Sequence, residues 1–318
     1  MKVKTYIGLD IGGTKVEGAL AQIDFDKRVL KILSKKRFSV DKNSSFEFFM
    51  DEIDKLINEL INTSVEKISL NDIACIGAGL PGSIDPETSK MLLGNTKFLI
   101  QQDFIKNLEA KIPIPVFVQN DANLFVLAES FLGVGKKFEH EFKIDFKKQS
   151  VLGITFGTGV GGGFIGHGQV LVGAFGSALE VGHICLDPNG PLCHCGQYGC
   201  AELYLSGTAL SKYHPAYDSY VLIQKAQDGD QECIDLLENY RKKLIQFLSI
   251  LNNLFNPHYF VFGGGLSNQA ILFKDIAKDL SANIFLSKEY APAIYINELG
   301  DSAGLFGAMI YANEKIKK

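Results

Sequence analysis

Apolar residues follow two rhythms along this chain. Short β-branched and aliphatic runs at Val3 to Leu9, Val16 to Leu20, Ile73 to Ala78, Pro115 to Gln119, Val151 to Phe156, Tyr259 to Phe262 and Ile294 to Asn297 are bounded by turn residues and read as strands. Between them lie helical patterns. Phe46, Phe49, Met50, Ile53, Ile57 and Leu60 form one stripe, which a capping box of Ser44 and Glu47 is expected to open. The longest stripe, over about Asp230 to Phe255, carries Ile234, Leu237, Tyr240, Leu244, Phe247, Leu248, Leu251 and Phe255, and Asn256-Pro257 stops it. Further helices are expected over Ala122 to Leu132, after the GGGLS turn at 263 to 267, and from about Ser302. Strands that alternate with helices make the fold α/β.

One pattern occurs twice. Ile7 to Thr14 reads IGLDIGGT and Leu152 to Gly159 reads LGITFGTG, each a strand, a glycine turn and a second apolar run. The repeat predicts two related halves. The stretch from Gly133 to Gln149, GVGKKFEHEFKIDFKKQ, mixes lysines with Phe138, Phe142 and Phe146 and reads as a solvated loop or β-extension. Interleaved basic and aromatic residues can also serve nucleic acid, but only this short segment carries them.

Candidate chemistry gathers at the glycine turns and at one thiol cluster. Four Gly-rich turns end strands: DIGGTK, TFGTGVGGG, GLPGS and GGGLS. Such turns let backbone amides approach a phosphate, and Thr14 and Thr158 add hydroxyls. None is a Walker A sequence or a GxGxxG opening a helix, so neither a P-loop ATPase nor a Rossmann dehydrogenase is supported. Asp10 closes the first strand at its turn, where Mg2+ would reconcile a carboxylate with a nucleotide; alternatively it only stabilises the turn. Asp121 stands where a strand hands over to a helix, placed either as an ordinary N-cap or as the base for a hydroxyl in phosphoryl transfer. Asn120, Asn123, Glu180 and Glu202 keep it company, a set suited to sugar hydroxyls.

His183, Cys193, Cys195 and Cys200 have the spacing of a closed Cys3His zinc site. The alternative is a set of inert buried cysteines. Four of the six cysteines fall within residues 185 to 200, a clustering that favours metal, whereas Cys75 and Cys233 read as core. A formal charge of −4 argues against a general nucleic-acid binder but not against a nucleotide, which backbone donors can hold. No run of about 18 apolar residues and no signal-type segment is seen, so the expected location is cytoplasmic, without a membrane partner.

With DIGGTK at 10 to 15, GLPGSID at 79 to 85, NDAN at 120 to 123, GTGVGGG at 157 to 163, EVGH at 180 to 183, CHCGQYGCAE at 193 to 202, GGGLS at 263 to 267 and GDSAGLFGA at 300 to 308, the chain resembles the ROK family of bacterial sugar kinases, within the actin-like ATPase superfamily. The resemblance covers nearly the whole chain. It implies two actin-like (ribonuclease H-like) domains with an interdomain cleft, at 1–120 and 121–302, and a C-terminal helix at about 303–318 packed back onto the first. It implies ATP-dependent phosphorylation of a hexose at the 6-hydroxyl, with glucose or N-acetylglucosamine favoured and fructose and N-acetylmannosamine open.

The same resemblance assigns roles. Asp121 would be the base, and Gly79, Asn95, Asn120, Glu180, His183 and Glu202 would join it around the sugar. Asp10, Gly12, Gly13, Thr14, Lys15, Thr158, Gly159, Gly263, Gly264 and Gly265 would hold ATP and Mg2+. Structural Zn2+ on His183, Cys193, Cys195 and Cys200 would orient the sugar loop, His183 bonding zinc through one ring nitrogen and sugar through the other. A homodimer follows by family analogy. Two departures stand out: Leu179 replaces the glycine usual before EVGH, and no DNA-binding helix-turn-helix precedes Asp10, as it would in the repressor branch. The competing class is a non-catalytic sugar sensor, against which the intact Asp10, Asp121 and paired turns speak.

Overall fold

The computed structural model describes residues 3–41, 43–94 and 96–317. The chain divides into two compact units. The first takes residues 1–142, 170–178 and 299–318, and the second 143–169 and 179–298. The boundary expected at 120 therefore falls inside the first unit.

In the first unit, β1 (Lys4–Ile11), β2 (Lys15–Asp24), β3 (Val29–Ser39), β4 (Ile73–Leu80) and β7 (Val116–Asn120) form a sheet in the order β3-β2-β1-β4-β7. A small hairpin of β5 (Ser83–Ile84) and β6 (Met91–Leu93) stands apart. Strands β1 and β2 pair antiparallel, whereas β1–β4 and β4–β7 are parallel. Helix α1 (Phe46–Asn62) lays Phe49, Met50, Ile53, Leu56, Ile57 and Leu60 against one face of the sheet. Each such burial is worth about 1.5–3 kcal/mol before the entropy of ordering. Its N-cap is Ser45, which accepts from the Phe48 amide, so the expected box of Ser44 and Glu47 does not form; Glu47 instead sits in the first turn.

The other face receives the C-terminal helix Ala303–Lys315. Glycines make the approach possible. A Cβ on Gly77 would collide with the Ala308 carbonyl, and one on Gly8 with that of Leu305. The Tyr6 hydroxyl donates to Asn313 Oδ1 at 2.8 Å in the same layer. Helix α3 (Asp121–Phe131) packs on this C-terminal helix, the Leu124 carbonyl lying against Gly307. This contact keeps α3 in the first unit and carries the boundary past residue 120.

The segment expected as a loop or extension is instead helical. After α2 (Phe104–Lys111) and α3 comes α4 (Val134–Phe142), with a short 3-10 turn at Phe146–Lys148. Phe138 and Phe142 are one helical turn apart and stack with ring centroids 4.6 Å apart, while Phe138 and Phe146 are buried.

The second unit repeats the plan of the first. Strands β8 (Ser150–Phe156), β9 (Val160–Gly166), β10 (Gln169–Val170), β11 (Tyr259–Gly263) and β12 (Ala293–Ile296) lie in the order β10-β9-β8-β11-β12. Here too the first two strands pair antiparallel and the next two join in parallel. The duplicated glycine turn is thus the β1–β2 connection in one unit and the β8–β9 connection in the other. Short helices α5 (Glu202–Leu205) and α6 (Gly207–Leu210) lead to α7 (Ser219–Gln227) and α8 (Gln231–Phe255). Asp230 caps α8 at its start and left-handed Asn256 ends it. Helices α9 (Ala270–Phe273) and α10 (Ile276–Ser281) precede β12. No helix among the described residues is long and apolar enough to cross a membrane.

Candidate active site and metal centre

In the first unit the acidic chemistry collects at the C-terminal ends of β1, β4 and β7. Asp10 lies in register with Gly79 of β4, whose Cβ position is 3.6 Å from Asp10 Oδ1. Gly304, at the start of the C-terminal helix, presses on the same carboxylate. Burial above all, and then the charges of Asp121, Glu17 and Asp301, push the Asp10 carboxyl up to about 7, with Lys15 opposing them. The β1–β2 turn closes with the Gly12 amide donating to the Lys15 carbonyl at 2.9 Å, and leaves Thr14 and Lys15 exposed.

Asp121 is not the cap of its helix. Asn120 takes that role, its Oδ1 accepting from the Ala122 and Asn123 amides and its Nδ2 donating to the Gly82 carbonyl at 3.0 Å. Asp121 is therefore the first helical residue, with Oδ1 accepting from the Ala122 amide at 2.8 Å. Asn123 donates to Gln119 and is buried, a part of the frame. Asn95, expected to contact sugar, lies outside the described residues.

In the second unit the thiol cluster closes as its spacing predicts. One ligand atom from each of His183, Cys193, Cys195 and Cys200 lies within 4.8 Å of all the others. The Cys195 and Cys200 sulfurs are 3.6 Å apart, and Cys193 Sγ is 3.6 Å from His183 Nδ1. Two thiolates each about 2.3 Å from one tetrahedral ion would be roughly 3.7 Å apart, and a thiolate and imidazole about 3.5 Å. The donor set thus fits zinc in both composition and spacing. Burial and the neighbouring Cys195 and Cys193 thiols push Cys200 up to about 12 in the bare protein, a cost that a bound cation would reverse. Gly199 holds φ +63 where a Cβ would strike the Asp187 carbonyl, so the knuckle needs glycine there.

Helix α8 braces this loop. Gln246 Nε2 donates to the Leu186 carbonyl at 3.0 Å, and the buried Tyr240 hydroxyl donates to the Leu205 carbonyl at the end of α5. Glu202, on α5, accepts from the Val160 amide at 2.9 Å, and its carboxylate occupies the space a Cβ on Gly159 would need. Its other oxygen is 3.7 Å from His194 Nδ1, and His183, His194 and Glu202 form a second close set. Gly159 is thereby shaped by Glu202 as much as by any phosphate. Glu180 is exposed at the start of the 3-10 turn Val181–His183. Leu179 before it is buried with φ +69, the left-handed backbone that glycine adopts freely and leucine at a cost of about 1–2 kcal/mol.

Beside the second turn lies a cavity of about 540 Å³. Thr158 and Gly265 line it, with Gly157 between open space and the Gly207 amide. Gly159, Gly263 and Gly264 are not among its lining residues; Gly264 holds φ +82 over the Phe156 backbone. Sequence reasoning missed the lining residues Thr208, Ser211, Tyr220 and Ile223, on or beside α6 and α7, and Gln269, after the turn Gly265–Asn268, because none of them belongs to a glycine motif.

The chain matches the ROK family over residues 6–315. It is 29% identical to the glucokinase of Thermotoga maritima, covering 98% of both chains. It is 31% identical to the N-acetyl-D-glucosamine kinase of Aliivibrio salmonicida, over 95% of this chain and 98% of that one. Its structure superposes on a ROK family glucokinase from Streptomyces griseus, solved with glucose and AMPPNP, with a TM-score of 0.75 at 28% identity, covering 98% and 99% of the two chains. The repeated turns, the Cys3His knuckle and both sheets, but for the first residues of β1, lie within residues 6–315, and the chain belongs to the ROK family.

Proposed function

We propose that the chain is an ATP-dependent hexose kinase that transfers the γ-phosphoryl group to the 6-hydroxyl of glucose or N-acetylglucosamine. The observation that carries this reading is the place of Asp121, the first residue of α3, at the positive end of a helix that Asn120 caps. An ionised carboxylate so placed accepts the hydroxyl proton as the oxygen attacks phosphorus, while the γ-phosphoryl group leaves ADP. The curated relatives named for glucose and N-acetylglucosamine support the choice of sugar.

Asp10 would hold Mg2+, which when bound neutralises charge on the transferring phosphates. Its crowded carboxylate corner, costly without a cation, fits that group. The Gly12–Lys15 turn offers amides and an ammonium to phosphate, and the cavity at Thr158 and Gly265 suits the nucleoside. His183, Cys193, Cys195 and Cys200 would hold structural zinc. With Nδ1 turned to the metal, His183 keeps Nε2 for a sugar hydroxyl, beside Glu180 and the remaining Glu202 oxygen.

An ADP-release assay across a panel of hexoses tests the reading. Wild-type protein should turn over with glucose or N-acetylglucosamine, and Asp121→Asn should lose about 10²–10⁴ in kcat with sugar affinity nearly kept. Full turnover by Asp121→Asn would sink the assignment of the base, and sugar binding without ADP release from the wild type would make the chain a sensor.

A further inference from the structure

Glu17 is an unusual residue for the middle of a sheet. It stands on β2 directly across from Asp10, so both side chains leave the same face, the one that meets the C-terminal helix. The residue is 7% exposed, and its Oε2 has no hydrogen-bond partner among the described residues. The other oxygen is held. Lys35 Nζ lies 3.2 Å from Oε1 and donates at 2.6 Å to Ser302, at the start of the C-terminal helix. Arg37, across from Glu17 on β3, is exposed and leaves Oε2 unpaired.

A buried carboxylate oxygen with nothing to accept from is costly, and beside a second carboxylate it is costlier. Such an atom calls for a completing partner, an ordered water, an ion or a ligand. Here the missing partner must be a donor or a cation, because the neighbouring side chain is Asp10 and Lys35 is already engaged. Magnesium fits: it takes one or two carboxylates directly and keeps several waters, which need acceptors of their own.

We propose that Glu17 is a positioning residue for the magnesium at Asp10, its free Oε2 accepting from a water of the hydrated ion while Lys35 and Ser302 fix its other oxygen. The inference rests on the reading that Asp10 holds the metal of the nucleotide complex. It adds a residue outside the glycine turn and makes Lys35 a tuning group, which competes with the ion for the same carboxylate.

The test is Mn2+ binding to the whole chain with ADP, read from the free Mn2+ paramagnetic resonance signal rather than from turnover. Glu17→Gln should weaken Mn2+ binding by about tenfold or more, with ADP affinity in the absence of metal unchanged. Lys35→Met, which releases the second oxygen, should tighten it. Mn2+ binding by Glu17→Gln as tight as wild type overturns the proposal. Should that variant fail to fold, Lys35→Met decides: tighter Mn2+ binding upholds the proposal and unchanged binding overturns it. Asp10→Asn separates the two levels. Loss of Mn2+ there with retention in Glu17→Gln sinks this inference alone, whereas retention in Asp10→Asn sinks the assignment of the metal to Asp10.

Discussion

Asp10→Asn should make the metal-free protein more stable, and by an amount that grows with pH. The Asp10 carboxyl moves from an ordinary 3.8 to about 7 because burial and then the charges of Asp121, Glu17 and Asp301 disfavour its ionised form. A raised acid binds more protons folded than unfolded. Its stabilising contribution is therefore whole below the unfolded value and is lost as pH climbs through the folded one. The full difference corresponds to about 4 kcal/mol, of which roughly 2.5 kcal/mol falls between pH 5 and pH 8. Asparagine has nearly the same shape and no charge, so its advantage over wild type should rise by up to that amount across this interval. Relaxation and water entry reduce it, and about 1 kcal/mol is the smallest gain consistent with the argument. Urea unfolding of both proteins at the two pH values, in chelator, measures it. Adding Mg2+ with ADP at pH 8 should then stabilise the wild type more than ADP alone does, and the variant no more than ADP alone. An advantage of Asp10→Asn that stays flat or shrinks between pH 5 and pH 8 would refute the reasoning.

Three further outcomes follow from particular contacts. Leu179→Gly should be about 1 kcal/mol more stable than Leu179→Ala, the reverse of the usual order, because only glycine relieves φ +69; equal denaturation midpoints would remove the strain argument. Gly77→Ala should cost at least about 3 kcal/mol and lower Tm by several degrees, since its methyl group would enter the Ala308 carbonyl. Stripping zinc should weaken hexose binding by about tenfold or more while leaving ADP binding intact, as titration calorimetry would show; equal loss of both would mean that the knuckle braces more than the sugar loop.

The repeat was legible because a glycine turn between two buried strands leaves the same short signature wherever it occurs, and the sheets behind both copies share one strand order. The α8 stripe was legible for a similar reason: its period is uninterrupted from Cys233 to Leu251. Segment α4 was not, because Phe138, Phe142 and Phe146 recur every fourth residue among lysines, a spacing that fits both an exposed aromatic patch and one face of a short helix. Nor could the sequence say that Asn120 rather than its neighbour caps α3, since both side chains are good caps and the choice depends on Gly82. The wall of the cavity around Tyr220 and Gln269 depends on tertiary placement alone.

The C-terminal helix also sets an order of assembly. A nascent chain has made everything through Glu298 before Ala303 leaves the ribosome, so the second unit has all its strands while the first still lacks the cover of Gly8 and Gly77. Until then Tyr6 has no Asn313 to donate to, and Asp10 has no Gly304 against it. The first unit is thus begun before the second along the chain and completed after it, and the carboxylate proposed to hold the metal is finished by the helix Ala303–Lys315.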